Sequence, residues 1–168
     1  MLIPFLAVRF LLLFYINRDA LQRAAHFAPA EGNEKAAYYI YQISNIVLFL
    51  YLFCLTVKLK LSWQLCFGIV FYFAGLCLCA VSVVNFAFPD DTGLNTNGVY
   101  RLSRNPMYVA YFICFIGMAL LTRSVILFCI VLIFQISAHW IILSEERECT
   151  VKFGEPYIEY MKNVKRYI

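Results

Sequence analysis

The sequence predicts an all-α integral membrane protein of about five transmembrane helices followed by a short interfacial helix. Hydrophobic residues make up 63% of the 168 residues and charged residues only 14%, and the mean hydropathy is +0.75. Soluble domains are about half apolar and about a quarter charged, so this balance excludes an ordinary soluble domain. The length fits a single domain, which we expect to cover residues 1–168.

Five apolar stretches approach the roughly 20 residues that a helix needs to cross the hydrocarbon core. They are residues 2–17, 36–57, 62–88, 107–121 and 124–144. The fourth is short, so we expect it to be tilted or shielded by its neighbours. We expect the first to be a retained helix and no cleaved signal peptide, because Arg9 interrupts it and it lacks a basic leading segment. For Arg9 two interpretations stay open, snorkelling to the headgroups, which we prefer, and a buried functional role.

The placement of lysine and arginine predicts the orientation. With five spans, residues 18–35, 89–106 and 145–168 share one side and hold ten basic residues, whereas the other side holds three. Basic residues concentrate in cytoplasmic loops, so this side and the C-terminus should be cytoplasmic. The net charge of +4 is then explained by this bias and by attraction to anionic lipids, and not by nucleic-acid binding.

The cysteines and the acidic residues exclude several kinds of site. Six of the seven cysteines lie in apolar stretches without a Cys-x-x-Cys pair, which is typical of packing residues and predicts no metal site. All ten acidic residues lie in loops, at helix ends or in the tail. A proton relay or an ion pathway would need ionisable groups within the membrane, so the chemistry should lie at the interface.

Two motifs stand out near the C-terminus. The first is Gly98-Val-Tyr-Arg-Leu-Ser-Arg-Asn-Pro-Met-Tyr108, and the second begins with Glu145-Glu146 and continues through Phe153-Gly154, Tyr157, Tyr160, Val164 and Arg166. Residues 107–143 between them are apolar and broken once at 122–124, which predicts a helical hairpin. The hairpin returns the glutamates to the membrane face where the first motif lies.

Helix boundaries follow from the prolines and glycines. Pro106 suits a first helical position, with Asn105 as its N-cap. We expect the second helix of the hairpin to end at Glu145-Glu146. Pro156 then opens a last amphipathic helix over about 156–166, too short and polar to span, which lies at the interface or covers the site.

The combined pattern resembles the isoprenylcysteine carboxyl methyltransferase and phospholipid methyltransferase superfamily. The resemblance covers residues 94–168, whereas residues 1–88 match only as transmembrane helices. Asn105, Ala110 and Cys149 depart from it, since the family often has His, Gly and Leu there. The resemblance implies S-adenosylmethionine as methyl donor and a cofactor pocket built from both motifs. The implied catalytic residues are Arg104, Glu145, Glu146 and Arg166. The implied cofactor-binding residues are Gly98, Tyr100, Arg104, Asn105, Pro106, Tyr108, Glu145, Glu146, Gly154 and Tyr157.

The charged residues of the motifs each allow two interpretations. Arg104 precedes a helix N-terminus and could clamp a carboxylate, or it could be an interfacial arginine that sets the topology. Glu145 and Glu146 point about 100° apart around a helix, so one should bind ligand while the other braces a basic residue. His139 lies on the face of Glu146, where an ordinary core or interfacial histidine is the simpler interpretation.

The tyrosines are equally ambiguous, because a ring could stack on adenine or approach the sulfonium, yet tyrosine is also common at membrane interfaces. Gly98 and Gly154 are expected to allow tight turns close to the ligand.

The predicted function is methyl transfer to a lipophilic acceptor at the cytoplasmic interface. Basic residues at the mouth, Arg101, Arg104 and Arg166, favour a carboxylate or phosphate-bearing amphiphile, with Arg166 orienting the acceptor and Glu146 facing the cofactor. Alternatives are a phospholipid amine N-methyltransferase, an NADPH-dependent sterol or steroid reductase, and a non-enzymatic membrane scaffold. The expected partners are membrane lipids and a lipophilic substrate, without nucleic acid.

Overall fold

The computed structural model describes residues 1–32 and 34–168, and within these residues the chain forms helices and no strand. A 3-10 turn, Gly98–Arg101, precedes the helical hairpin. The helices are α1 (Leu2–Ile16), α2 (Arg18–Ala25), α3 (Glu34–Cys54), α4 (Trp63–Ala87), α5 (Pro106–Thr122), α6 (Val125–Phe153) and α7 (Glu155–Asn163). A π-helical segment, Ala7–Leu12, forms the middle of α1.

Three helices, α3, α4 and α6, are long and apolar enough to cross a membrane, and α1 and α5 are shorter apolar helices. The all-helical membrane fold predicted from composition is therefore confirmed. The count of five spans stays a prediction, because the 17 residues of α5 extend about 26 Å against a hydrocarbon core of about 30 Å.

The short helix α5 is shielded by its neighbours, as expected. It packs between α4 and α6, and residues such as Cys114, Phe115 and Met118 are buried along its length. Two glycines permit a close approach of α4 and α5. A Cβ atom at Gly75 would collide with the backbone nitrogen of Cys114, and one at Gly117 with that of Tyr72.

The capping residues and the proline that predict helix starts agree with the structure in part. Ser124 caps α6, since its hydroxyl accepts a hydrogen bond from the amide of Leu127 at 3.1 Å. Pro106 begins α5 as predicted, but Asn105 makes no side-chain cap. Its amide group instead donates to the carbonyl of Arg166 at 3.2 Å.

The predicted ends of the last two helices are wrong. Helix α6 continues through Glu145 and Glu146 to Phe153, and α7 covers Glu155–Asn163 instead of 156–166. The two carboxylates find partners on other elements and so do not disfavour the helix. Helix α6 ends before Gly154, because the φ of 61° at this position is disfavoured for residues other than glycine.

The 29 residues of α6 extend about 44 Å, which exceeds the hydrocarbon thickness of about 30 Å. Its C-terminal turns therefore project beyond an apolar slab, and they carry the two glutamates. At this end Arg147 bonds Glu34 at 2.8 Å, and His26 contacts Glu148 at 3.0 Å. Whether this end faces the cytoplasm stays a prediction.

Candidate active site

A cavity of about 500 Å³ lies where the two motifs meet. Its volume is in the range of small-molecule sites, which is about 300–1,000 Å³. The wall is formed by α1 to α3, the segment 86–95 and the ends of α5, α6 and α7. Seven of the predicted site residues line it: Tyr100, Arg104, Asn105, Tyr108, Glu145, Glu146 and Tyr157.

Glu146 is the centre of a buried ionic network. Its carboxylate accepts from Nε of Arg104 at 3.1 Å and forms an ion pair with Nη2 at 3.0 Å. Arg166 donates to the same carboxylate from Nη2 at 2.8 Å and from Nε at 3.0 Å. These hydrogen bonds raise the pKa of Arg166. Glu146 is thus the bracing residue of the glutamate pair.

The network anchors the C-terminal segment to the start of α5. The amide of Arg104 donates to the carbonyl of Lys165 at 2.9 Å, and its Nη1 donates to the carbonyl of Met161 at 2.9 Å. The hydroxyl of Tyr160 donates to the carbonyl of Tyr100. With its nitrogens bonded inside the protein, Arg104 acts here as a brace, and its contact with a ligand carboxylate stays a prediction.

Glu145 faces the cavity. Oε1 accepts a hydrogen bond from the hydroxyl of Tyr108 at 2.9 Å. Among residues 1–32 and 34–168 this carboxylate forms no ion pair. It therefore keeps acceptor capacity for hydroxyl or ammonium groups of a ligand.

Aromatic rings cover much of the remaining wall. The rings of Tyr157 and Tyr160 lie 5.9 Å apart between centroids, and Phe86 tilts against Tyr100 at 6.5 Å. Burial raises the pKa of Tyr157 and of Tyr160, so both stay neutral phenols. Such surfaces can pack against a planar base or a cation.

Four predicted site residues are close to the cavity in sequence but do not line it: Gly98, Pro106, Gly154 and Arg166. Gly98 and Gly154 adopt the expected left-handed conformation, with φ of 49° and 61°. They shape the turns before α5 and α7. Any closer contact of these glycines with a ligand remains a prediction.

Several cavity residues that precede the first motif were not predicted from the sequence, among them Arg23, Tyr41 and Asn95. For Arg9 we preferred snorkelling to the headgroups, but the side chain lines the cavity instead, and its functional role stays a prediction. Its position inside an apolar stretch was the signal that pointed to it. His139 lies elsewhere, with Nδ1 at 2.7 Å from the hydroxyl of Tyr167.

Comparison with known proteins agrees with this geometry. The model of the phospholipid methyltransferase family matches residues 78–155, the stretch that carries the first motif, the helical hairpin and both glutamates. No curated protein and no solved structure matches the chain. Over residues 78–155 the chain is similar to the phospholipid methyltransferase family, and the resemblance to membrane methyltransferases that its two motifs predict is confirmed.

Proposed function

We propose that the protein transfers a methyl group from S-adenosylmethionine to a lipophilic acceptor at the membrane interface. The observation that carries the proposal is the carboxylate of Glu145, which faces a cavity of about 500 Å³ between the two motifs. This cavity lies at the N-terminal end of α5 and the C-terminal end of α6, and part of its wall, including Glu145, belongs to the segment that matches the methyltransferase family. A water-soluble donor and a lipid can meet at such a position.

The residues of the cavity fit the donor. S-adenosylmethionine, when bound, supplies a methyl group on a sulfonium, together with an adenine, ribose hydroxyls and an amino acid end. Glu145 would accept hydrogen bonds from hydroxyl or ammonium groups, and Tyr157 and Tyr160 would pack on the ring. The brace of Arg104, Glu146 and Arg166 keeps these walls in place, which favours alignment and excludes water.

A second groove supports a lipophilic acceptor. It has a volume of about 230 Å³ and is lined by Ile40, Ile43, Ser44, Val47, Ile130 and Ile133. It lies between α3 and α6, and Tyr41 of the same helix α3 lines the main cavity. A hydrocarbon chain that occupies this groove would place its polar end toward the cavity.

A carboxylate acceptor is the first candidate, because it attacks a methyl group without losing a proton. The sequence analysis favoured an anionic acceptor because of Arg101, Arg104 and Arg166, but in the structure these three do not supply a free positive charge in the cavity. Arg101 is exposed, and Arg104 and Arg166 are bound to Glu146. The positive charge that remains in the cavity wall comes from Arg9, Arg23 and the exposed Lys152.

An amine lipid is the second candidate. An ammonium group must lose a proton before it accepts a methyl group, which requires a base within reach. Glu145 is a carboxylate in the cavity wall, whereas His139 bonds Tyr167 away from it. Glu145 is therefore the residue that would accept this proton.

Titration calorimetry of the purified protein with S-adenosylmethionine and with NADPH tests the proposal. We expect binding of the first alone, weakened at least about tenfold by Glu145→Gln, since hydrogen bonds to a charged group contribute about 1.5–3 kcal/mol. Glu159→Gln serves as control because that carboxylate is exposed on α7. Binding of NADPH alone would favour a reductase, and binding of neither would favour a scaffold.

Radiolabelled methyl transfer separates the two acceptors. A prenylated cysteine and phosphatidylethanolamine are compared with the wild type and with Glu145→Gln. If the acceptor is a carboxylate, the wild type should methylate the prenylated cysteine. Glu145→Gln should lower the rate of this methyl transfer, and a saturating concentration of the donor should restore it. If only the amine lipid accepts methyl and Glu145→Gln abolishes its turnover at saturating donor, the amine assignment replaces the carboxylate one.

A further inference from the structure

We propose that Arg9 and Arg23 form a binding site for the anionic group, a carboxylate or a phosphate, of the acceptor amphiphile. The identity of this ligand as the acceptor rests on the proposed function. Both arginines belong to α1 and α2, outside residues 78–155, and both line the main cavity.

Arg9 has only weak partners inside the protein. Its Nη1 lies 3.7 Å from the sulfur of Met107, and its Nη2 donates to the carbonyl of Ala24 at 3.4 Å. The guanidinium also lies 5.2 Å from the ring centre of Tyr111. A guanidinium has more N–H donors than these contacts use, so some N–H groups of Arg9 can still donate hydrogen bonds to a ligand.

The guanidinium of Arg23 also has a hydrogen-bond donor without a partner inside the protein. Its Nη2 donates to the carbonyl of Phe86 at 3.2 Å, and its guanidinium lies 5.2 Å from the ring centre of that residue. Nε of Arg23 is buried and has no hydrogen-bond partner. Ala24, which follows Arg23, accepts the bond from Arg9, so the two side chains are tied to one wall.

Within the described residues, the cavity carboxylates contact other groups, and none of them forms an ion pair with Arg9 or Arg23. Glu146 pairs with Arg104 and Arg166. Glu145 accepts from Tyr108, and Glu148 contacts His26. Within residues 1–32 and 34–168, neither Arg9 nor Arg23 has an ion-pair partner.

Two positive charges in a partly apolar wall are unfavourable without a counter-ion. A ligand anion would complete their hydrogen bonding, since the guanidinium matches carboxylate and phosphate in a bidentate manner. The anion of the acceptor suits this position better than the carboxylate of the donor. Arg9 projects from the apolar helix α1 among Phe10, Met107 and Tyr111, and such apolar surroundings suit the anionic group of an amphiphile.

Two matched ligand pairs test the site in the full-length protein in detergent. N-acetyl-S-farnesylcysteine is compared with its uncharged methyl ester, and dihexanoyl phosphatidic acid with dihexanoylglycerol. Binding is measured by thermophoresis for the wild type, Arg9→Gln and Arg23→Gln. Arg18→Gln is the control, because Arg18 lies on the same helix α2 as Arg23 and is exposed. The affinity for S-adenosylmethionine is measured in parallel.

We expect at least one anionic ligand to bind the wild type more tightly than its uncharged counterpart. Each cavity variant should weaken it about tenfold to a hundredfold, while the uncharged ligands, S-adenosylmethionine and Arg18→Gln stay at wild-type values. Equal binding of charged and uncharged ligands, or undiminished anion binding in both variants, would overturn the inference. A loss of donor affinity alone would assign the arginines to the donor carboxylate and overturn it as well. The lipid measurements need no donor, so a wild type that fails to bind S-adenosylmethionine refutes the proposed function separately.

Discussion

Replacing Glu146 by glutamine should strongly destabilise the protein. The substitution keeps the size of the side chain but removes the charge that Arg104 and Arg166 share. Glu146 and Arg104 are 8% and 10% exposed at the side chain, and Arg166 is 33% exposed. Removing one partner of a buried pair costs about 3–5 kcal/mol, because a buried charge is left without compensation.

The partial exposure of Arg166 lets water solvate that guanidinium after the change, so the lower end of the range applies. We therefore expect a loss of about 3 kcal/mol in the free energy of unfolding. For a chain of this size that corresponds to a fall in the melting temperature of roughly 6–12 °C. The C-terminal segment should loosen first, because Arg104 holds Met161 and Lys165 through their carbonyls.

The assay is unfolding in mixed micelles with increasing denaturing detergent, with Glu159→Gln as the control for removal of a carboxylate. Surface ion pairs contribute only about 0–1 kcal/mol. A loss in that range for Glu146→Gln would refute the bracing role. A double-mutant cycle with Arg104→Gln checks the pairing, because two independent sites would show additive losses.

Three further outcomes are expected. Gly117→Ala should lower the stability by about 1–3 kcal/mol, since overpacking at a close helix contact forces the backbones apart; a melting temperature at the wild-type value would contradict the contact. Tyr108→Phe should weaken binding of S-adenosylmethionine several-fold through Glu145, at a cost in stability of about 1 kcal/mol for the lost hydrogen bond; calorimetry with an unchanged affinity would show that Glu145 needs no such orientation. Cysteines placed at the exposed positions Arg123 and Asn163 should react with a membrane-impermeant reagent from opposite sides of a sealed vesicle, and labelling of both from one side would disprove five spans.

Some features of the site could be predicted from the sequence. The spacing of the two motifs predicted that the hairpin brings Tyr108 to the glutamate pair, and the structure joins Tyr108 to Glu145 at 2.9 Å. The helical angle between the glutamates also predicted that one binds ligand and the other braces a basic residue. The sequence analysis assigned Glu146 to the cofactor and Arg166 to the acceptor, whereas the structure pairs these two side chains and leaves Glu145 facing the cavity. This choice depends on the position of Arg166, on a segment beyond α6, and no local pattern encodes it.

The boundaries of the last helices show the limit of local signals. The apolar stretch ends at residue 144, so a helix end at Glu145 and Glu146 was the natural expectation, although acidic residues at a helix C-terminus oppose the helix dipole. Helix α6 continues because Tyr108, Arg104 and Arg166 compensate the carboxylates from other elements. The stop comes instead from the backbone conformation of Gly154.

The sequence by itself determined the membrane class, the helical hairpin and the resemblance to the phospholipid methyltransferase family, because composition, hydrophobic length and motif spacing are local properties of the chain. Only the tertiary structure decided the far wall of the cavity. Arg9 contacts Met107 across 98 positions of sequence, and Arg23 contacts Phe86 across 63. Such contacts depend on how α1 and α2 pack against α4 and α5, and no periodicity within either segment encodes that packing.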